Sequence, residues 1–238
     1  MKHKRAGLLT LIYFLIVGAF LAVTFLLNSA TTAIAQMIPV ERQHIVIIDA
    51  GHGGEDGGAT SCTGVLESTF NLQIGKKVND LFHLLGYKTK MIRTHDVSVY
   101  TQGDTISAKK VSDLQNRVKM VNETEQGILV SIHQNTFSDS RYSGAQVFYG
   151  PKGQSQQLAD LLQSEFCRTI NRGSNRKSKK ADGIYLMQHI DCTGILVECG
   201  FLSNPAEEAL LQSDDYQRKL SCVIAGTVAN FLDHGTND

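Results

Sequence analysis

What the chain lacks narrows its reading first. Its 238 residues show no charge excess of either sign, 23 basic side chains against 23 acidic ones. With Lys2, Lys4 and Arg5 set aside at the amino end, 20 basic residues (23 less 3) remain against 23 acidic, a net of about −3. Charge therefore gives no reason to expect a nucleic-acid partner. Cysteine is present but unorganised. Cys62, Cys167, Cys192, Cys199 and Cys222 are odd in number and show no CxxC spacing. In a chain long enough to bury a sizeable core, that pattern is not a disulfide framework, and each reads as a small buried side chain or an indifferent thiol. There is no internal repeat and no sign of a second module, so one large domain is expected.

What the chain does have begins at its amino end. Lys2, Lys4 and Arg5 precede an uncharged run from Leu8 to Leu27, long enough to cross a hydrocarbon layer about 30 Å thick as a helix. The sequence Ala33, Ile34, Ala35 that follows has the form of a cleavage site. Residues 1–36 are thus expected to be a signal anchor or a signal peptide, with the basic residues inside and the remainder exported. Residues 37–43 read as a linker and 44–236 as the folded domain.

Within that domain, short β-branched runs alternate with helical ones. Strands are expected at His44–Asp49, Tyr87–Arg93, Ile128–His133, Ala145–Tyr149, Ile184–Gln188 and Ile195–Glu198. Phe70, Ile74, Val78, Leu81 and Leu85 form a helical stripe over Glu67–Leu85, which Gly86 closes. Further helices are expected over Ser112–Glu123 and Ser155–Ile170, from Pro205 behind an Asn204 cap, and over Asp214–Leu232. The alternation predicts an α/β fold: an open, largely parallel twisted sheet of about six strands with helices on both faces.

Open sheets place their sites where loops leave the carboxyl ends of strands. The run IVIID ends in AGHGG with His52, ILVSI ends at His133, and ILV ends at Glu198. Glu67 joins them from the start of a helix, on the stripe that faces the sheet; a carboxylate there is costly unless paired or metal-bound, although the helix dipole favours its charge. Two imidazoles and a carboxylate are a ligand set that leaves a zinc ion an open position for water, and a nearby carboxylate such as Glu198 fits a general base. From pattern alone His52 and His133 stand equally as ligands or as ordinary strand-end histidines. His44, His83, His95, His189 and His234 read as ordinary.

The segments IIDAGHGGEDGGA, GVLESTFNLQI, MIRTHD, LQNRVKMVN, LVSIHQN, GAQVFYG and ILVECGFLSNPAEEALL, in that order from about Ile45 to Phe231, resemble the zinc-dependent N-acetylmuramoyl-L-alanine amidases, the Amidase_3 class of cell-wall hydrolases. The resemblance implies one Zn2+ per chain on His52, Glu67 and His133, with Glu198 catalytic. It implies as substrate a peptidoglycan glycan strand with its stem peptide, cut at the amide between N-acetylmuramic acid and L-alanine. TISAKKVSDLQNRVKMVN, SGAQVFYG and the basic run before GIYLMQ are similar to the germination-specific branch, which acts on spore cortex before muramic-δ-lactam forms. That branch implies a place on the outer face of a membrane or in the forespore envelope space, attachment through residues 8–27, and possible dependence on an exported activator protein. Ile92, Thr136 and Cys199 depart from what many relatives carry; none is a ligand position.

Asn135 is a candidate for gripping substrate or for capping a loop. Arg93 and Arg117 could meet peptide carboxylates or form internal ion pairs. The cluster Arg172, Arg176, Lys177, Lys179 and Lys180 suits either a solvated loop or a docking face for an anionic glycan or a partner. Two rivals stand beside the amidase reading. One is an exported cysteine peptidase using Cys199 or Cys62 with His133 as base, which the alternation of side chains past Glu198 disfavours for Cys199. The other is a non-catalytic wall-binding protein of the same fold.

Overall fold

The structure, a computed structural model, describes residues 15–26 and 43–235. The chain divides into two units at Glu41. In the first, residues 15–26 form helix α1, with Leu15, Phe20 and Phe25 exposed. Among the described residues no helix is long and apolar enough to cross a membrane. Residues 8–14 and 27 of the expected span, and most of the expected linker, lie outside them.

The second unit is a six-stranded sheet in the order β2-β1-β3-β6-β4-β5. In chain order its elements are β1 (Ile45–Ala50), α2 (Glu67–Leu84), β2 (Lys88–Met91), α3 (Ile106–Asn122), β3 (Gly127–Asn135), β4 (Gln146–Tyr149), α4 (Ser155–Thr169), β5 (Lys179–Lys180), α5 (Tyr185–His189), β6 (Gly194–Phe201), α6 (Pro205–Gln212) and α7 (Asp214–His234). β2, β1, β3 and β6 run parallel, β4 runs antiparallel to β6, and β5 parallel to β4. The expected α/β sheet is present and mostly parallel.

β1 and β3 sit between neighbours and are covered on both faces, so their residues form near-continuous apolar runs. Alternate side chains divide the work. Val46, Ile48, Val130, Ile132, Ile195 and Val197 pack with α2, α4 and α7, where Phe70, Phe82, Phe166 and Ile224 are buried. Ile47, Leu129 and Leu196 point the other way, to a smaller cluster with Val121 of α3 and Leu186, Met187 and Ile190 of α5 and its C-cap. Gly86 follows α2 at φ +79°, a left-handed stop that turns the chain into β2. Asn204 caps α6 by accepting from the main-chain N–H groups of Ala206 and Glu207.

Two expectations fail. Residues 184–188 are not a strand. The edge of β4 is taken by Lys179 and Lys180, Gly183 turns the chain at φ +82°, and Leu186, Met187 and Ile190 are buried at helical rather than alternating spacing. The two lysines at the open edge also discourage pairing with another chain. α3 begins at Ile106 behind a Thr105 cap, six residues before the expected Ser112. Ile106 and Val111 are exposed, at 66% and 53%. Apolar residues on the solvent side blur the periodicity that marks a helix start.

Candidate metal centre and its cleft

The carboxyl ends of β1, β3 and β6 meet at one edge, and the site is built there. His52 follows β1 at φ +60°, an uncommon conformation for a residue with a side chain. It leaves no room at its neighbours: a Cβ on Gly51 would lie 2.2 Å from the His133 ring, and one on Gly58 would lie 2.5 Å from Glu67 Oε2.

Glu67 arrives from α2 by a local route. The N-cap Leu66 offers no side-chain acceptor, so the first main-chain N–H groups of the helix donate to carbonyls of the preceding loop, Glu67 to Ala59 and Ser68 to Gly57. This ties the glycine loop across the helix start and brings His52 to Glu67. The Glu67 carboxylate accepts from Ala59 N at 3.0 Å, Gln134 N at 3.1 Å and Asn71 Nδ2 at 3.2 Å. His133 Nδ1 lies 3.1 Å from Glu67 Oε1 and His52 Nε2 lies 3.3 Å from Glu67 Oε2. Burial works against the Glu67 charge, but the two imidazoles outweigh it and hold the carboxyl well below its usual range. Burial likewise opposes a proton on His52, yet Glu67 and Asp56 hold its pKa at about 9.

The ligand atoms of His52, Glu67 and His133 all lie within 4.8 Å of one another. Donors each about 2.1 Å from a tetrahedral zinc ion stand about 3.4 Å apart, and the two nitrogen–oxygen separations match that spacing. The donor set therefore fits a zinc ion, which would take the places of the two imidazole protons.

Glu198 lies in register with His133 on the adjacent β6. Its Oε2 is buried without a hydrogen-bond partner. Burial pushes its carboxyl up to about 7, with His133 and Glu67 pulling in opposite directions. A carboxyl poised there can take and return a proton near neutral pH.

Two supports of the trio escaped the sequence reading. Asp56 Oδ2 lies 2.9 Å from His52 Nδ1 and fixes the ring. Asn71 joins Glu67 to Gly51 O and to the buried Gln134. Asn71 had a legible signal, since it stands four residues after Glu67 on the same helical face. Asp56 had none, lying in a loop.

Of the two roles open to Arg93 and Arg117, the structure supplies internal partners for both. Arg93 is 3% exposed, and its guanidinium donates to Ala50 O, Gly51 O, Ser68 O and His95 O. It braces the loop with four of its five N–H donors and is closed off from a peptide carboxylate in solvent. Arg117 is also buried; it bonds Asp49, Asp113 at 2.5 Å, Ala50 O at 3.2 Å and His52 O at 2.8 Å. Asn135 ends β3 beyond an irregularity in register, its carbonyl accepting from Leu202 N.

A cleft of about 270 Å3 opens at this edge, lined among others by His52, Asp56, Lys110, Arg117, His133 and Tyr185. Of the basic cluster, Arg176 donates to Ser143 O and lies over the Phe201 ring. All five cysteines are free. Cys199 is fully buried and burial pushes its thiol far above the usual range, which removes it as a nucleophile.

Comparison with known proteins agrees with this picture. The profile of the N-acetylmuramoyl-L-alanine amidase family matches residues 46–230, and the chain belongs to that family. A germination-specific N-acetylmuramoyl-L-alanine amidase from Bacillus subtilis is 37% identical over 194 residues, 80% of this chain and 81% of that protein. Among solved structures, the CwlD amidase from Clostridioides difficile, in complex with the GerS lipoprotein, superposes with a TM-score of 0.76 at 35% identity, over 79% of this chain and 98% of that one. An N-acetylmuramoyl-L-alanine amidase from Clostridium difficile 630 gives 0.70 at 29% identity, over 82% and 99%. The chain is accordingly an N-acetylmuramoyl-L-alanine amidase acting on peptidoglycan.

Proposed function

We propose that His52 Nε2, Glu67 and His133 Nδ1 hold one zinc ion and that Glu198 is the general base of amide hydrolysis. The observation that carries this reading is the pairing of a closely spaced His-Glu-His set with a carboxylate beside it, that of the half-buried Glu198, whose Oε2 is buried and unpartnered. Bound zinc would bring a water's pKa toward about 7 and polarise a carbonyl oxygen. Glu198 takes the proton of the attacking water and returns it to the L-alanine nitrogen as the C–N bond breaks, leaving the muramic lactyl group as a carboxylate and the peptide as a free amine. Asp56, through His52 Nδ1, keeps Nε2 aimed at the ion. Asn135 is the remaining candidate for gripping substrate.

The domain is 44–236, tethered by residues 37–43 to a signal anchor or signal peptide in 1–36, with 8–27 in the membrane. The support is the run of uncharged residues behind Lys2, Lys4 and Arg5. Similarity to the germination-specific relative supports action on spore cortex in the forespore envelope space, before muramic-δ-lactam forms. The relative solved with a lipoprotein supports an exported activator.

Metal analysis of the purified protein should give one zinc per chain, and digestion of cortex-type peptidoglycan should release L-alanine amino termini. Loss of this activity to a chelator, with recovery on adding zinc, is expected. Full activity in Glu198→Gln would overturn the role of the base.

A further inference from the structure

Two cations line the cleft, Arg117 and Lys110. Arg117 is 2% exposed and bonded to Asp49, Asp113, Ala50 O and His52 O, so four of its five N–H donors and its charge are taken up inside the fold. Lys110 differs. It stands near the start of α3 with its side chain 51% exposed, and its Nζ is 2.9 Å from Asp56 Oδ1. The other oxygen of Asp56 is 2.9 Å from His52 Nδ1. The ammonium is therefore one carboxylate and one imidazole ring away from His52 Nε2. A peptide extending about 3.5 Å per residue crosses such a span in about three residues.

The residues that α5 and the turn before it bring to the cleft, Ile184, Tyr185 and Leu186, are uncharged. A cleft with its available cation on one wall orients a substrate that is charged at one end. The family's substrate has that asymmetry: the acyl side of the scissile amide is a sugar ether, and the amine side is a peptide with a terminal carboxylate. Asp56 does not block such contact. An ammonium has three donors and this ion pair engages one; a half-exposed pair of this kind is also weakly held.

We propose that Lys110 receives a carboxylate of the substrate's peptide, so that the peptide runs along the α3 wall and the glycan along the α5 wall. This rests on the His52, Glu67, His133 site being the reaction centre.

The test compares the zinc-loaded full chain on two substrates, N-acetylmuramoyl-L-alanyl-alanyl-alanine with a free carboxyl terminus and the same molecule with that terminus amidated. Wild type is expected to favour the free carboxylate by about two- to fivefold in kcat/KM, the size of a partly exposed charge pair. In Lys110→Met that ratio falls toward one through KM for the carboxylate substrate, and Lys110→Arg restores it. Thermal melting and zinc content of each variant, with Lys110→Gln as a second neutral variant, separate recognition from misfolding. No preference in wild type would overturn the proposal. So would an equal loss on both substrates accompanied by weaker zinc binding, which would make Lys110 a prop for Asp56 alone. If wild type cleaves neither substrate without an activator, Lys110 is read from binding instead. Calorimetry with trialanine and its amide then decides on Lys110 independently: carboxylate-dependent binding lost in Lys110→Met supports it, and its absence overturns it.

Discussion

The two faces of the sheet are built on opposite terms, and β3 shows both within one run. Val130 and Ile132 enter the large apolar cluster under α2, α4 and α7. Leu129, Ser131 and His133 point to the other side, where the apolar cluster under α3 and α5 is smaller and gives way to ionisable groups at the strand ends. There Asp49 is buried, accepts from Ser131 Oγ at 2.7 Å and is paired with Arg117. Burial works against its charge, and Arg117, His133 and Ser131 outweigh that and hold it below the usual range. Among the described residues the buried side-chain polar atoms without a partner are Ser68 Oγ, Gln134 Oε1 and Glu198 Oε2. Glu198 is in register with His133, while Ser68 and Gln134 adjoin Glu67 and His133 in the chain, with Gln134 bonded to Asn71 of α2. Buried polar groups are almost always satisfied. The apolar face stabilises the fold, and the other face carries the unpartnered Glu198 oxygen at the strand ends, where a metal, water and an amide would meet it.

The sharpest break of that contrast is Glu198→Gln. It removes the base and leaves the shape, so kcat should fall about 10²- to 10⁴-fold while the melting temperature stays level or rises. Product release followed by chromatography, beside a melt, checks both halves. An activity loss that tracked unfolding would mean that the site's polar face is holding the domain together.

Next in size is a matched pair, one residue from each face. Phe82→Ala opens a cavity in the apolar layer and should cost about 3–5 kcal/mol, with zinc affinity unchanged in whatever remains folded. Arg117→Met should cost a similar amount, about 3–5 kcal/mol, because it strands the buried Asp49 charge. It should also weaken zinc binding, since Arg117 holds the His52 carbonyl. Denaturant titration beside chelator competition separates the two. Equal zinc affinity in both variants would contradict the idea that Arg117 ties the fold to the ligand loop.

The same contrast explains what could be read in advance. The apolar face was legible because its signal is periodic: Phe70, Ile74 and Val78 announce α2, and Val46 and Ile48 announce β1. Strand ends located His52, His133 and Glu198, and the conflict of a carboxylate on a core-facing stripe located Glu67. What escaped depends on contacts distant in sequence. Nothing local says that Arg93 is consumed by the carbonyls of Ala50, Gly51 and Ser68, or that Asp56 orients His52. Residues 184–188 misled because a short apolar run suits a strand or a buried helical turn alike.

The pH dependence of stability sets the ionisable groups of the polar face against the metal. Glu198 titrates at about 7 against an ordinary 4.5; the folded state holds its proton more tightly, so this contribution is present below about 4.5 and is lost as pH rises through 7. His52, at about 9 against 6.5, stabilises fully below about 6.5 and loses that contribution as pH rises through 9. The depressed Glu67 acts only in acid, where its contribution is lost as pH falls. Chelator-treated protein should thus lose stability from pH 5 to 9, by up to about 3 kcal/mol from Glu198. Zinc competes with the same protons and binds better as pH rises. The gap in melting temperature with and without zinc should therefore widen from pH 6 to pH 9, and a constant gap would mean that zinc does not displace these protons.

The smallest effect expected is that of Asp56→Asn. The amide preserves the size of the side chain and can still accept from His52 Nδ1, but it gives up the negative charge that strengthens that bond and pairs with Lys110. Loss of such an outer partner typically weakens metal binding about 10- to 100-fold. On the apolar face no substitution of equal size should move zinc affinity at all. Chelator competition on Asp56→Asn beside Leu162→Val, which trims the α4 packing, measures that difference directly. If both variants bound zinc as wild type does, the orientation of His52 would come from its left-handed backbone and from Arg117 on its carbonyl, with Asp56 serving the Lys110 wall of the cleft instead.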